Sequence, residues 1–134
     1  MVQTDRAMGA PPRRRVLYVE DEPAVQRLVE FWLVDAGFEV SLAGDGREGL
    51  QAVRSDRPDL VITDALMPNM TGDELVAVMA ADPDLVDIPI IMATAAASPF
   101  RVKRMLARGC RAVLAKPLDE VSFLAAVAEA LQGL

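Results

Sequence analysis

Short apolar runs alternate along this chain with stretches in which apolar residues recur every three or four positions. Arg15-Val16-Leu17-Tyr18-Val19 is the first run and reads as a buried strand, halted by Glu20-Asp21-Glu22. Glu22-Pro23 resembles a helix start, with proline at the position where its missing N–H is tolerated. Val25, Leu28, Val29, Trp32 and Ala36 form the expected apolar stripe of that helix, and Gly37 ends it. Phe38 to Ala43 is a second strand. Asp45 with Glu48 has N-capping spacing for a short helix that stops before Pro58. Asp59 to Thr63 is a third strand, and Thr71 with Glu74 is a capping box for a helix closing near Asp82-Pro83. Ile88 to Thr94 is the fourth strand. Ser98-Pro99 caps a helix expected to carry Val102, Met105 and Leu106 inward. Cys110 to Ala115 and Asp119 to Gln132 supply the last strand and helix.

Five β-α units in strict alternation imply a parallel sheet covered by helices on both faces, joined by right-handed crossovers. The expected class is therefore three-layer α/β. The 134 residues fit one domain, and residues 1–12, with Gly9, Pro11 and Pro12, read as a loose tail. Only 4% of residues are aromatic, so the core must be aliphatic, with Trp32 and the seven methionines as core and gap fillers.

Charge and composition exclude several functions. A net charge of −6 disfavours a bare nucleic-acid binder, which needs clustered Lys and Arg against phosphate. The chain has no His, which removes His-ligated metals and His general bases. A lone Cys110 excludes an internal disulfide and a cysteine metal cage. Arg13-Arg14-Arg15 imitates a leader, but acids interrupt the apolar stretch after four residues. No run approaches the roughly 18 apolar residues of a membrane helix, so a cytoplasmic protein without membrane contact is expected.

In open parallel sheets, ligands bind at the carboxyl ends of the strands, where strand order reverses. The expected strands end in Glu20 and Asp21, in Asp64, in Thr94, and in Lys116-Pro117. Taken singly, each has a plainer reading. Asp21 suits a helix cap, Glu20 a solvated charge, Asp64 an Asx-type loop residue, Thr94 a strand residue and Lys116 a surface charge. Taken together they supply carboxylates that repel one another until a hard cation such as Mg²⁺ joins them, with an ammonium and a hydroxyl alongside. Those are the parts that phosphoryl transfer requires.

The residues resemble the receiver domains of two-component response regulators. Val19-Glu20-Asp21-Glu22 is similar to that family's acidic pair, and the segment from Pro58 through Asp64 to Pro68, followed by Gly72, to its phospho-acceptor segment. Ile90 to Ala95 is similar to its switch-threonine strand, and Gly109 to Pro117 to the segment ending in Lys-Pro. The match runs from about Arg15 to Leu131. The resemblance implies a flavodoxin-like fold with strand order 2-1-3-4-5, in a receiver domain spanning 13–134. It implies that Asp64 accepts a phosphoryl group and that Thr94 and Lys116 bind the phosphoryl oxygens. Asp21, Asp64, the backbone carbonyl of Leu66 and, through water, Glu20 would hold Mg²⁺, for which Mn²⁺ could substitute. It implies a cis Lys116-Pro117 bond that aims the lysine.

The implied protein is a switch, not an enzyme. Its donor would be a sensor histidine kinase or a histidine phosphotransfer protein. Its output would be a separate effector or a covalently linked domain, without direct nucleic-acid contact. Phosphorylation would draw Thr94 inward and remodel the surface of the fourth helix, fifth strand and fifth helix.

Departures from the family leave alternatives open. Val113 stands where an aromatic is usual, which puts the coupled Thr94–aromatic switch in doubt and keeps a pseudo-receiver interaction module as a second reading. A Mg²⁺-dependent phosphohydrolase is a third, although Leu66 stands where it would want a second acid. In the family Leu66 and Ala96 flank the route of hydrolytic water, and neither can orient one, so slow loss of phosphate is expected. Arg101, Arg104 and Arg108 form a stripe with Lys103 and Arg111 nearby: either a solvated face or a docking patch. Arg111 and Ala112 stand where acids are common, which disfavours the dimer that pairs such acids with basic residues on the fourth helix.

Overall fold

The computed structural model describes residues 13–132, so the expected tail at 1–12 lies outside the described residues. The elements are β1 (Arg15–Val19), α1 (Pro23–Asp35), β2 (Glu39–Ala43), α2 (Gly46–Asp56) and β3 (Leu60–Thr63). They continue as α3 (Gly72–Ala81), β4 (Ile90–Thr94), α4 (Pro99–Ala107), β5 (Ala112–Ala115) and α5 (Glu120–Gln132). The strands pair in parallel in the order β2-β1-β3-β4-β5, the expected flavodoxin-like topology.

Alternation along the strands divides the core into two layers. Leu17, Val19, Val61 and Met92 face one way and share a buried layer with Val53 of α2, Leu75, Val76 and Met79 of α3, and Met105 of α4. Val16, Tyr18, Ile62 and Ile91 face the other way, sharing theirs with Val29 and Leu33 of α1 and Phe123 and Val127 of α5. The β3 and β4 strands are buried along their whole length, which is why they read as continuous apolar runs.

Local chemistry sets the boundaries. The Asp45 carboxylate accepts the Glu48 N–H at 2.8 Å, Ser98 the Arg101 N–H at 3.2 Å and Asp119 the Ser122 N–H at 2.9 Å. Thr71 and Glu74 form the reciprocal capping box at the start of α3. Gly37 adopts φ +99° just after α1, a conformation available to glycine at little cost.

Some expectations need correction. Leu28 is half exposed and Ala36 is exposed, whereas Leu33 is fully buried, so the inward face of α1 runs Val25, Val29, Trp32, Leu33. Successive residues lie about 100° apart around a helix, so on a face centred near Val29 Leu28 falls at its flank, while Trp32 and Leu33 straddle its middle. The same geometry leaves Leu106 half exposed beside buried Met105. Four strands begin one or two residues later than expected. The N–H groups of Phe38 and Cys110 close the preceding helix ends, onto Leu33 and Met105 at 3.0 and 3.1 Å, and that of Ile88 closes a turn onto Leu85 at 3.0 Å. Asp59 bonds to Arg15 through its side chain, accepting that N–H at 2.8 Å, as well as through its own N–H.

Candidate functional site

Register alone brings the candidate residues together. Val19 pairs with Thr63 at the ends of β1 and β3, so Glu20 and Asp64 leave adjacent strands side by side. The Asp64 N–H then donates to the Val19 carbonyl at 3.1 Å, and the Glu20 N–H to the Ala43 carbonyl at 2.9 Å. Thr94 pairs with Ala115, and the next residue, Lys116, donates its N–H to the Thr94 carbonyl at 2.9 Å. All four sequence-expected strand ends thus meet at one edge of the sheet, and strand order reverses between the adjacent strands β1 and β3.

Glu20, Asp21 and Asp64 each place a carboxylate oxygen within 4.8 Å of the others. Glu20 is not the solvated charge its position suggests: it is 1% exposed. Its Oε1 accepts from the Tyr18 hydroxyl at 3.1 Å and from Lys116 Nζ at 2.5 Å, and its Oε2 accepts the Glu22 N–H at 3.1 Å. Asp21 stays exposed and does not cap α1; the N-cap position belongs to Glu22, whose side chain makes no capping bond.

Asp64 divides its two oxygens. Oδ1 accepts the Ala65 N–H at 2.6 Å and lies 3.5 Å from the Leu66 nitrogen, so the Asx-like loop contact exists. Oδ2 accepts from Lys116 Nζ at 3.0 Å. Burial by itself lowers the Lys116 pKa, but hydrogen bonds and charge from Glu20 and Asp64 outweigh it and raise it above the ordinary value. The Lys116-Pro117 bond is cis, as expected.

Thr94 is buried, and its hydroxyl accepts the Ala96 N–H at 3.1 Å. Beyond it, between α4 and β5, opens a cleft of about 610 Å³ lined by Ala95, Ala96, Ser98, Phe100, Arg104 and Ala115 among others. Val113 is half-buried on β5 and packs on the Met-rich layer. The basic stripe is not uniform: Arg101 is half-buried and pairs with Asp73 at 2.9 Å, while Arg104, Arg108 and Arg111 are exposed.

Two residues went unremarked or unexplained in the sequence. Tyr18 shares a strand face with Glu20, a relationship that period-two spacing makes visible once Glu20 is suspected. Gly72 follows the acceptor loop because its Cα abuts that loop: a Cβ there would collide with the Asp64 carbonyl. Its N–H donates to the Ala65 carbonyl at 2.9 Å.

A cluster made only of oxygen donors suits a hard divalent cation such as Mg²⁺, and softer thiolate- or imidazole-dependent metals find no ligand in it. A doubly wound parallel sheet with such a cluster and one lysine at its switch point defines a class of regulatory α/β proteins. The chain belongs to the response regulator receiver domain family, whose model matches residues 16–128. It is 35% identical over 115 residues to the DNA-binding response regulator MtrA of Mycolicibacterium smegmatis, covering 86% of this chain and 49% of that one. It is 37% identical to hybrid signal transduction histidine kinase D of Dictyostelium discoideum over 84% of this chain and 7% of that one. The chain therefore spans about half or less of these curated relatives. Among solved structures, the chemotaxis response regulator CheY4 of Vibrio cholerae matches with a TM-score of 0.83 and 34% identity, covering 90% of this chain and all of that one. The receiver domain of a sensor histidine kinase of Pseudomonas aeruginosa, described with magnesium coordinated in its active-site cleft, matches with a TM-score of 0.82 and 26% identity over 90% of this chain and 99% of that one.

Proposed function

We propose that this receiver domain takes a phosphoryl group onto Asp64 from a phosphohistidine and uses it as a switch. Asp64 Oδ2 is the nucleophile: a new O–P bond forms as the donor's N–P bond breaks, and the departing imidazole nitrogen keeps the electron pair and takes up a proton. Asp21, Asp64, Glu20 and the Leu66 carbonyl would hold Mg²⁺, which when bound neutralises charge on the transferring group. Lys116 contributes a fixed positive charge beside the attacking oxygen, and the Ala65 N–H holds the other Asp64 oxygen at 2.6 Å. Thr94 would exchange its Ala96 contact for a phosphoryl oxygen, moving the loop that starts α4 and altering the exposed face of α4, β5 and α5.

The observation that carries this reading is the Asp64 carboxylate, held 3.0 Å from the Lys116 ammonium within a three-carboxylate cluster. Magnesium in the similar Pseudomonas receiver supports the cation. The relatives include both a DNA-binding regulator and a hybrid kinase, so the output is a linked domain or a separate effector. Among the described residues no helix is long and apolar enough to cross a membrane, consistent with a cytoplasmic partner kinase domain.

Incubation with acetyl phosphate and Mg²⁺ tests the proposal. Wild type should gain one hydroxylamine-labile phosphate, and Asp64→Asn none. Equal labelling of both proteins, or no labelling of wild type, rejects it; the second outcome favours a pseudo-receiver, the reading that Val113 keeps open. Steady turnover of phosphate esters would favour the hydrolase, against which the apolar Leu66 stands.

A further inference from the structure

Tyr18 is the only tyrosine of the chain, and it is wholly buried one residue before the end of β1. Strand side chains two apart share a face, so its ring points into the layer beneath Glu20. Val16, Val29, Leu33, Ile62 and Phe123 belong to the same apolar layer. A ring packed there has little rotational freedom, and its hydroxyl has one acceptor, Glu20 Oε1 at 3.1 Å.

Glu20 needs that donor. A carboxylate at 1% exposure is costly unless its lone pairs are satisfied. Three groups do so: the Tyr18 hydroxyl, the Glu22 N–H and the Lys116 ammonium. Tyr18 and Lys116 converge on the same oxygen, Oε1, so the phenol fixes the atom on which the lysine rests. The link depends on side-chain length. An aspartate at this position would stop one methylene short and could not span back to the phenol.

We infer that Tyr18 is a positioning residue, whose buried hydroxyl holds the Glu20 carboxylate in place and through it fixes the Lys116 ammonium beside Asp64. The inference rests on the reading of this pocket as a cation and phosphoryl site, and adds to it a residue that touches neither. Tyr18 and Glu20 act as a unit: the longer acid is useful because the tyrosine pins it, and the tyrosine is useful only with the longer acid. Orientation of a metal-site carboxylate by a hydrogen bond behind it is a general means of tuning affinity.

A double-mutant cycle separates this role from packing. Tyr18→Phe keeps the ring and removes only the donor, and it is combined with Glu20→Asp. Mg²⁺ binding by calorimetry should weaken on the order of three- to tenfold in Tyr18→Phe, the net effect of one ordinary hydrogen bond, because the metal feels its loss only through the Glu20 carboxylate. In the Glu20→Asp background the same change should leave Mg²⁺ affinity unaltered. Without metal, the ammonium proton signal of Lys116 in nitrogen-15 NMR should broaden in Tyr18→Phe, because its anchor is looser. Unchanged Mg²⁺ affinity together with an unchanged ammonium signal would overturn the inference, as would an equal loss of affinity with and without the Glu20→Asp change. If wild type binds no Mg²⁺, the proposed function fails instead, and the metal-free ammonium signal alone decides the role of Tyr18.

Discussion

Lys116 Nζ lies 3.0 Å from Asp64 Oδ2, a contact closed across 52 residues of chain. The same nitrogen reaches Glu20, so one cation serves two acids, and the side chains involved are only 13% and 15% exposed for Asp64 and Lys116. Lys116→Met removes a charge-assisted partner and leaves buried Glu20 poorly compensated. Acetyl phosphate labelling of Asp64 should slow by roughly 10- to 100-fold, the kinetic equivalent of about 1.5–3 kcal/mol. Thermal stability should fall without Mg²⁺ and recover in part when Mg²⁺ is added, since a cation can replace the lost ammonium charge. A melting temperature indifferent to Mg²⁺ in this variant would show that the lysine does not neutralise the cluster.

Gly72 tests the scaffold beneath the acceptor. Any side chain there meets the Asp64 and Ala65 backbone, and backbone cannot move aside as a side-chain tip can. Gly72→Ala should therefore destabilise the fold by roughly 2–3 kcal/mol, within the range of overpacking. Thr71→Ala, next to it, should cost about 1 kcal/mol through loss of the cap alone. Urea unfolding of the two variants measures the contrast, and equal losses would mean that the close approach is relaxed cheaply.

The fold was legible because its signals are local and mutually consistent. Capping pairs at Asp45 and Glu48 and at Thr71 and Glu74, and continuous apolar runs at β3 and β4, each announce one element. The strand ends followed, and with them Glu20, Asp21, Asp64, Thr94 and Lys116. What stayed hidden depends on three-dimensional neighbours. Nothing near Glu20 in sequence says that a lysine 96 residues away draws it into burial. Arg101 looks like part of an even basic stripe until Asp73, 28 residues earlier, is seen to hold it. The phase error in α1 has a different origin: Leu28 and Leu33 are equally apolar, and only packing onto the layer of sheet and α5 residues selects Leu33.

If Asp64 carries a phosphoryl group as proposed, Leu66 and Ala96 should set how long it lasts. Leu66 is two-thirds exposed at the rim of the pocket, and Ala96 offers only its N–H, which Thr94 accepts. Neither side chain can hold an attacking water by a hydrogen bond. The aspartyl phosphate should persist for many minutes or longer, and Leu66→Asn should shorten its lifetime severalfold by supplying an amide that orients water. Decay of labelled protein, followed after removal of the donor, checks this. Identical decay in the variant would place the control of lifetime elsewhere.

Cys110 gives a pH-dependent signature remote from the pocket. Burial, with a smaller contribution from the charge of Asp73, pushes its thiol up to about 11 from an ordinary 9.0. A folded-state pKa above the unfolded one means that unfolding releases a proton more readily, so the contribution to stability is complete below pH 9.0 and is lost as pH rises through about 11. Cys110→Ala removes that titration while leaving every other group in place. The stability gap between wild type and variant should therefore be constant up to about pH 8.5 and narrow by roughly 2 kcal/mol by pH 11. Urea titrations of both proteins across this interval measure it. A gap independent of pH would show that the thiol reaches solvent in the folded state, and in that case Cys110 should also react with alkylating reagents at neutral pH without prior unfolding.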